Sequence, residues 1–275
     1  MNHVASDIAL GQRFLPPQGL ATQSNLDKIS VWSENNLMQL NKSKTYYLIF
    51  SRTREEFASR CTVNSTHIDR RKETKILELW LEESGRWEKN TKEICKRAWA
   101  RVAMLTKLKY AGVNTEELLH NYKQFVRVML EYCSVVWHSS LSEQQSRSLE
   151  RCQSVCLRVI LGDNFISNEA ALEVTGLQKL LDRRQSRCLA YRLKSLKNPV
   201  NKRYFPENPN LNLTLTARER EKYTVNFART KQYQQSAIPY IQRLLNLDAK
   251  EKERQQEGEG EVSRGQGEDS RRGGV

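Results

Sequence analysis

WEKNTKEICKRAWARVAMLTKLKYAG, residues 87–112, is the stretch on which the fold turns. Ile94, Ala98, Val102 and Leu105 recur at intervals of three and four, the spacing that gathers side chains on one face of an α-helix. Gly112 stands where such a helix would end, because glycine alone takes the left-handed cap conformation without steric cost. The spacing therefore predicts one helix from about Trp87 to Tyr110. Before this stretch the pattern is mixed, and after it the helical period persists to about residue 197.

Downstream, Asn114 or Thr115 opens a second helix, with Glu116 and Glu117 in its first turn where carboxylates favour the dipole. Its expected core residues are Leu118, Tyr122, Phe125, Met129 and Val136. A third begins with Ser142 and Gln145 at capping-box spacing, carries Leu149, Cys152, Cys156 and Val159, and stops at Gly162. Shorter helices are expected at 168–175 and 178–197, the last ending before Asn198-Pro199. The sum is a helical bundle.

Upstream, Val4 to Leu10 is apolar, Pro16-Pro17 interrupts it, and a helix follows Thr22 with Leu26, Ile29, Trp32 and Leu37. TYYLIF (45–50), CTVNSTHID (61–69, around Asn64-Ser65) and TKILELWL (74–81) have the β-branched and aromatic content of strands. This is a small α+β unit, so the fold class is α+β, followed by a mainly α-helical bundle.

The chain has 275 residues, 45 Lys+Arg against 32 Asp+Glu and a formal charge of +13, a surface that concentrates polyanions. The last 27 residues, from Ala249, are Glu/Gly/Arg-rich with almost no apolar side chains and are expected to be a disordered tail. Six basic and seven acidic residues nearly cancel there, so the excess positive charge belongs to the rest. No apolar run is long enough to span a bilayer and no signal-peptide pattern opens the chain, so an intracellular, non-secreted protein without a membrane partner is expected. The six cysteines are then expected to be reduced thiols.

At 100° per residue, Lys89, Lys92, Lys96 and Lys107 fall within about a 60° wedge opposite the apolar stripe, with Trp99 beside them. Such a row suits tracking phosphates while the indole packs on a base or sugar, and it equally suits a solvated helix face. Cys133, His138, Cys152 and Cys156 have the donor types for zinc but lack a C-x-x-C knuckle, and three of them lie in apolar stripes, so core thiols are the better reading. No Ser/His/Asp grouping, P-loop or GxGxxG occurs.

LDKISVWSENNLMQLNKSKTYYLIFSR (26–52), EYCSVVWHSSL (131–141), LERCQSVCLRVILG (149–162) and ARTKQYQQSAIPYIQRLLN (228–246) resemble, in unbroken order, non-LTR retrotransposon reverse transcriptases of the Jockey-like group. The likeness runs from about residue 4 to 247. It implies a partial palm with a primer-grip-like hairpin over 1–82, a helical thumb-like domain over 83–198 and a post-thumb segment over 199–248, followed by the tail at 249–275. It also implies that the activity of the family is RNA-directed DNA polymerisation with Mg²⁺, that Lys44 in LN-x-x-KT stands near the nucleotide phosphates, and that the Lys89/Lys92/Lys96/Lys107 face with Trp99 meets RNA or RNA–DNA duplex without regard to sequence.

VASDIAL (4–10) resembles the strand–turn motif aromatic-Ala-Asp-Asp of that family, with Ser6 at the first aspartate and Asp7 at the second. A neutral hydroxyl does not replace a carboxylate in clamping two Mg²⁺ ions, so Asp7 is a vestigial metal and catalytic residue. The chain starts at Met1, and the earlier palm strand and the fingers are expected to be missing. The family hairpin carries Leu-Gly where this chain has Leu77-Glu78, and Asn64-Ser65 stands where Asn-Gly would suit a type I′ turn. The expectation is an inactive reverse-transcriptase remnant that binds nucleic acid and needs no cofactor. The alternative is an interaction fragment, pairing with a protein through exposed sheet edges, or a mobile-element relic without function.

Overall fold

The computed structural model describes residues 19–41, 44–50, 61–202, 204–208, 221–227 and 229–252. The apolar stretch at 4–10 with Ser6 and Asp7, the Pro-Pro break and the tail beyond residue 252 lie outside them. The described residues mix helix and sheet, with helices dominant and strands few and short. The chain divides into two compact units, Met1–Arg86 and Trp87–Val275.

In the first unit α1 (Gly19–Asn35) is followed by β1 (Tyr46–Tyr47), β2 (Thr62–Val63), β3 (Thr66–His67), β4 (Asp69–Arg70), β5 (Glu73–Ile76) and β6 (Leu79–Glu82). Three two-stranded pairs result: β1 with β4 in parallel, and the antiparallel hairpins β2–β3 and β5–β6. Cys61, Val63 and Ile68 form its buried cluster, with Leu26, Leu40 and Tyr47 packed against it. Gln23 on α1 docks β2 by imitating a neighbouring strand: its Oε1 accepts from the Thr62 amide and its Nε2 donates to the Thr62 carbonyl, both at 2.9 Å.

Three expectations are corrected here. The α1 helix ends at Asn35, and its inward face carries Leu26, Ser30 and Ser33, whereas Trp32 and Leu37 are exposed; Trp32 lies about 120° around the helix from that face. The strand expected over 45–50 pairs only at Tyr46–Tyr47. TKILELWL is not one strand but a hairpin, with its turn at Leu77-Glu78, where φ is +47° and +68°.

Asn64-Ser65 likewise has φ of +48° and +59°, so both hairpins close through left-handed pairs as type I′ turns do. A glycine at the second position would adopt this conformation freely, whereas glutamate carries a Cβ that crowds the backbone. Glu78→Gly is therefore expected to stabilise the β5–β6 hairpin by about 1 kcal/mol, a roughly fivefold rise in hydrogen-exchange protection of its amides. Unchanged or reduced protection would show that the exposed Lys75–Glu78 ion pair, at 2.7 Å, outweighs the strain.

The second unit opens with α2 (Glu88–Tyr110), which buries Ile94, Ala98, Val102 and Leu105. The Gly112 amide donates to the Lys109 carbonyl and the Val113 amide to that of Leu108, a Schellman closure with Gly112 at φ +85°. Then come α3 (Thr115–Asn121, capped by Asn114), a π-helical turn over Tyr122–Arg127, and α4 (Val128–Leu130). After Cys133, at φ +49°, follow α5 (Ser134–Trp137), α6 (Glu143–Leu161), α7 (Asn168–Thr175), α8 (Leu180–Leu196), α9 (Pro199–Lys202), α10 (Lys231–Gln234) and a last helix, α11, over 237–252.

The π turn explains a further correction. Leu118, Tyr122, Val126 and Leu130, spaced by four, are fully buried, whereas Phe125 and Val136 are 47% and 46% exposed. On a regular α-helix a spacing of four drifts by about 40° per step, and the wider turn absorbs that drift, keeping the row facing inward. The left-handed break at Cys133 then restarts the helix so that Trp137, not Val136, enters the core.

The core lies chiefly where α2 packs on α6, whose Leu149, Cys152, Cys156, Leu157 and Ile160 are buried; Val159 is only half-buried. The capping box is formed in full: Ser142 Oγ accepts from the Gln145 amide and Gln145 Oε1 from the Ser142 amide. At the other end of α6, Lys109 Nζ donates to the Ile160 carbonyl at 3.0 Å, a cation at a helix C-terminus. Gln242 and Asn246, one turn apart on α11, hold residues 204–208 and 221–227 through amide hydrogen bonds to Tyr204, Tyr223 and Asn226. Residues 249–252, expected in the tail, continue this helix. Among the described residues no helix is long and apolar enough to cross a membrane.

Candidate nucleic-acid interface

Because α2 turns Ile94, Ala98, Val102 and Leu105 inward, helical geometry sends the opposite face to solvent. Lys92, Lys96 and Lys107 are exposed on it, and Lys89 is half-buried. Trp99 is 40% exposed beside this row and Met104 is exposed too. Arg97 and Arg101 are exposed too, but on the flank of α2 next to the apolar stripe, at least about 80° around the helix from the lysine row. Three ammonium groups on mobile stems next to an indole face combine long-range attraction for phosphate with a stacking surface.

Lys44 belongs to the other unit. Asn41 organises its turn: the Lys44 amide donates to both the carbonyl and Oδ1 of Asn41, and Thr45 Oγ1 donates to the same carbonyl. With Leu40 packed on the cluster below, the LN-x-x-KT spacing has a structural reason. The Lys44 side chain is exposed. Asp7 lies outside the described residues, and the donor set of Ser6 and Asp7, one hydroxyl and one carboxylate, does not fit a paired Mg²⁺ centre.

A cleft of about 420 Å³ beside β5 was not anticipated. Tyr46 and Trp80 give it aromatic walls, and Arg71, Lys72 and Lys75 with the single carboxylate of Glu73 a charged rim. Arg71 stacks over the Tyr46 ring at 4.1 Å, and Thr74 Oγ1 donates to the Tyr46 hydroxyl. The run RRK at 70–72 was the available signal, but only the pairing of β4 with β1 brings it beside Tyr46.

The zinc donor types have other duties. Arg184 Nε donates to His138 Nδ1 at 3.4 Å, which leaves the ring proton on Nε2 to face the Tyr240 hydroxyl at 3.3 Å. Burial, and then the Arg184 charge, push the His138 pKa down to about 4. Among the described residues no group of three or more His, Cys, Asp or Glu is placed to hold a metal ion. Around His138 the bundle buries a charge network that sequence reasoning missed. Arg184 is fully buried and reaches Ser146 Oγ at 3.0 Å and Glu150 at 3.6 Å, while Glu131 accepts from Arg183 and Arg187. Arg192 is buried with its guanidinium stacked 3.5 Å over the Phe205 ring, and burial lowers its pKa to about 10.

Comparison with protein-family models, with curated proteins and with solved structures finds no match to this chain.

Proposed function

We propose that this protein binds nucleic-acid duplex independently of sequence through the outward face of α2, as the thumb-like part of a non-LTR reverse-transcriptase relative that does not itself polymerise DNA. The observation that carries this reading is the exposed row Lys92, Lys96 and Lys107 with the exposed Trp99 beside it, opposite a buried stripe. The unbroken order of family-like segments supports it, and Ser6 in place of the first carboxylate supports the inactivity.

The test is fluorescence anisotropy with a labelled RNA–DNA primer–template across a salt series. Each neutralised phosphate contributes about 0.9 to the slope of log affinity against log salt, so replacing Lys92, Lys96 and Lys107 with alanine is expected to reduce the slope by about 2–3. Trp99→Ala is expected to weaken binding roughly tenfold and leave the slope unchanged, as loss of a stacking surface does. Primer extension in the same samples is expected to give no incorporation. A wild-type slope in the triple variant sinks the proposal.

One observation favours a second reading, a protein-interaction fragment. Phe125, Val128, Tyr132 and Val136, on either side of the Cys133 break, are all exposed, and apolar surface of that kind is covered more often by protein than by phosphate. That reading expects concentration-dependent oligomers whose stability is insensitive to salt.

A further inference from the structure

The cleft beside β5 gathers two aromatic side chains and several charges in the first unit, none of them part of the α2 surface. Its volume, about 420 Å³, falls within the roughly 300–1,000 Å³ of sites that take small molecules. Tyr46 is held in place there: buried Thr74 donates from Oγ1 to its hydroxyl, and the Arg71 guanidinium stacks over its ring at 4.1 Å. Arg71 is anchored in turn by its amide, which donates to the Tyr47 carbonyl at 2.9 Å. Trp80 comes from the other strand of the hairpin, directly across from Lys75, so the indole and the lysine stem share one face of the β5–β6 pair.

The charges on the rim are unequal. Lys75 is 2.7 Å from Glu78 and is satisfied there, and Glu73 supplies one carboxylate. Arg71 and Lys72 are exposed, and among the described residues no carboxylate forms an ion pair with either. A ligand suited to this place has a flat ring to lie on the aromatic walls and a negative group that reaches the rim.

We propose that the cleft binds one unpaired nucleotide, its base packed on the Tyr46 and Trp80 walls and its phosphate held at the rim by Arg71 and Lys72. Every base has a π face, so such packing gives affinity without selecting a sequence. Duplex does not fit, because its base faces are already stacked on one another. Inorganic phosphate uses the rim and leaves the aromatic walls in water. The Glu73 carboxylate opposes the phosphate, and its charge therefore costs affinity. A free nucleoside monophosphate and an unpaired residue of a single strand offer the same chemistry. The site neither requires nor follows from duplex binding at α2, since its residues all belong to the first unit.

The test is isothermal titration calorimetry of the full-length chain with adenosine 5′-monophosphate as the probe, and with adenosine and inorganic phosphate beside it. The monophosphate is expected to bind, and adenosine and inorganic phosphate each to bind at least about tenfold more weakly. Trp80→Leu is expected to weaken the monophosphate roughly tenfold through loss of a stacking wall. Lys72→Ala, at an exposed position, should weaken it about three- to fivefold, whereas Glu73→Gln should tighten it about two- to threefold. A merely structural role for the rim would not make one substitution weaken binding and its neighbour strengthen it.

To separate the two sources, a labelled single-stranded oligonucleotide is titrated into the variant with Lys92, Lys96 and Lys107 replaced by alanine, where the α2 face is disabled. A strand that binds and is displaced by the monophosphate assigns the cleft to single strands; a strand that does not bind, or is not displaced, assigns it to the free nucleotide. No heat with the monophosphate at about 1 mM, binding unchanged in both Trp80→Leu and Lys72→Ala, or inorganic phosphate bound as tightly as the monophosphate would each overturn the proposal. The two rim variants decide it even if the Trp80 variant folds poorly.

Discussion

Glu131→Ala is expected to lower the unfolding free energy of the second unit by about 3–5 kcal/mol, one of the largest losses any single side chain here should cause. Glu131 is 2% exposed at the end of α4, where the backbone leaves the helix for the Cys133 break. Arg183 donates to it through Nε and Nη2, and Arg187 through Nη1 at 2.9 Å, so one carboxylate fastens this bend to α8 by three charge-assisted hydrogen bonds. The Arg183 pKa is raised, chiefly by its hydrogen bond to Glu131. Truncation strands two guanidiniums around a hole. Arg183 and Arg187 remain 26% and 52% exposed and recover some hydration, which places the loss toward the lower end of the range. Urea denaturation followed by circular dichroism measures it, and a loss below about 1 kcal/mol would mean that the bend holds without its ion pairs.

Acidification should reveal the second effect. His138 has a pKa near 4 in the folded chain, against about 6.5 when unfolded. A depressed histidine means that the unfolded chain takes up a proton first as pH falls. The contribution of His138 is therefore undiminished above pH 6.5 and is progressively lost between about pH 6.5 and 4, by about 2–3 kcal/mol after allowance for partial hydration of the ring. Tyr240 from α11 and Arg184 from α8 face the imidazole, and the guanidinium makes a second positive charge there unwelcome. Urea midpoints at pH 7, 6, 5 and 4 should fall steeply in the wild type and less steeply in His138→Gln over pH 6.5–5, above the range where most carboxylates titrate. Parallel curves would remove His138 from the account.

What could be read from sequence was local. The α2 stripe, Gly112, the Asn114 cap and the Ser142/Gln145 box are each determined within a few residues of chain, and each is present in the structure. Features that depend on partners far along the chain were not legible. Leu77-Glu78 carries no turn residue and turns only because β5 and β6 pair around it. The π turn shows in sequence only as a spacing of four that a 3.6 period cannot follow, so the regular period puts Phe125 and Val136 inside when they are outside. The candidate interface was legible because it is a face of a single helix. The His138–Arg184 pair joins separate helices, and nothing in either local sequence names its partner.

The start of α8 has a consequence for the order of folding. Lys179, at its N-cap, supplies no side-chain cap, and the amides of Leu180 and Leu181 donate instead to the carboxylate of Glu150 on α6. Helix α6 closes its own first turn with Ser142 and Gln145 and so can nucleate early, whereas α8 receives its first acceptors only after α6 is in place. The rate at which α8 forms is thereby tied to docking rather than to its own sequence, and the two helices should gain protection in succession during refolding.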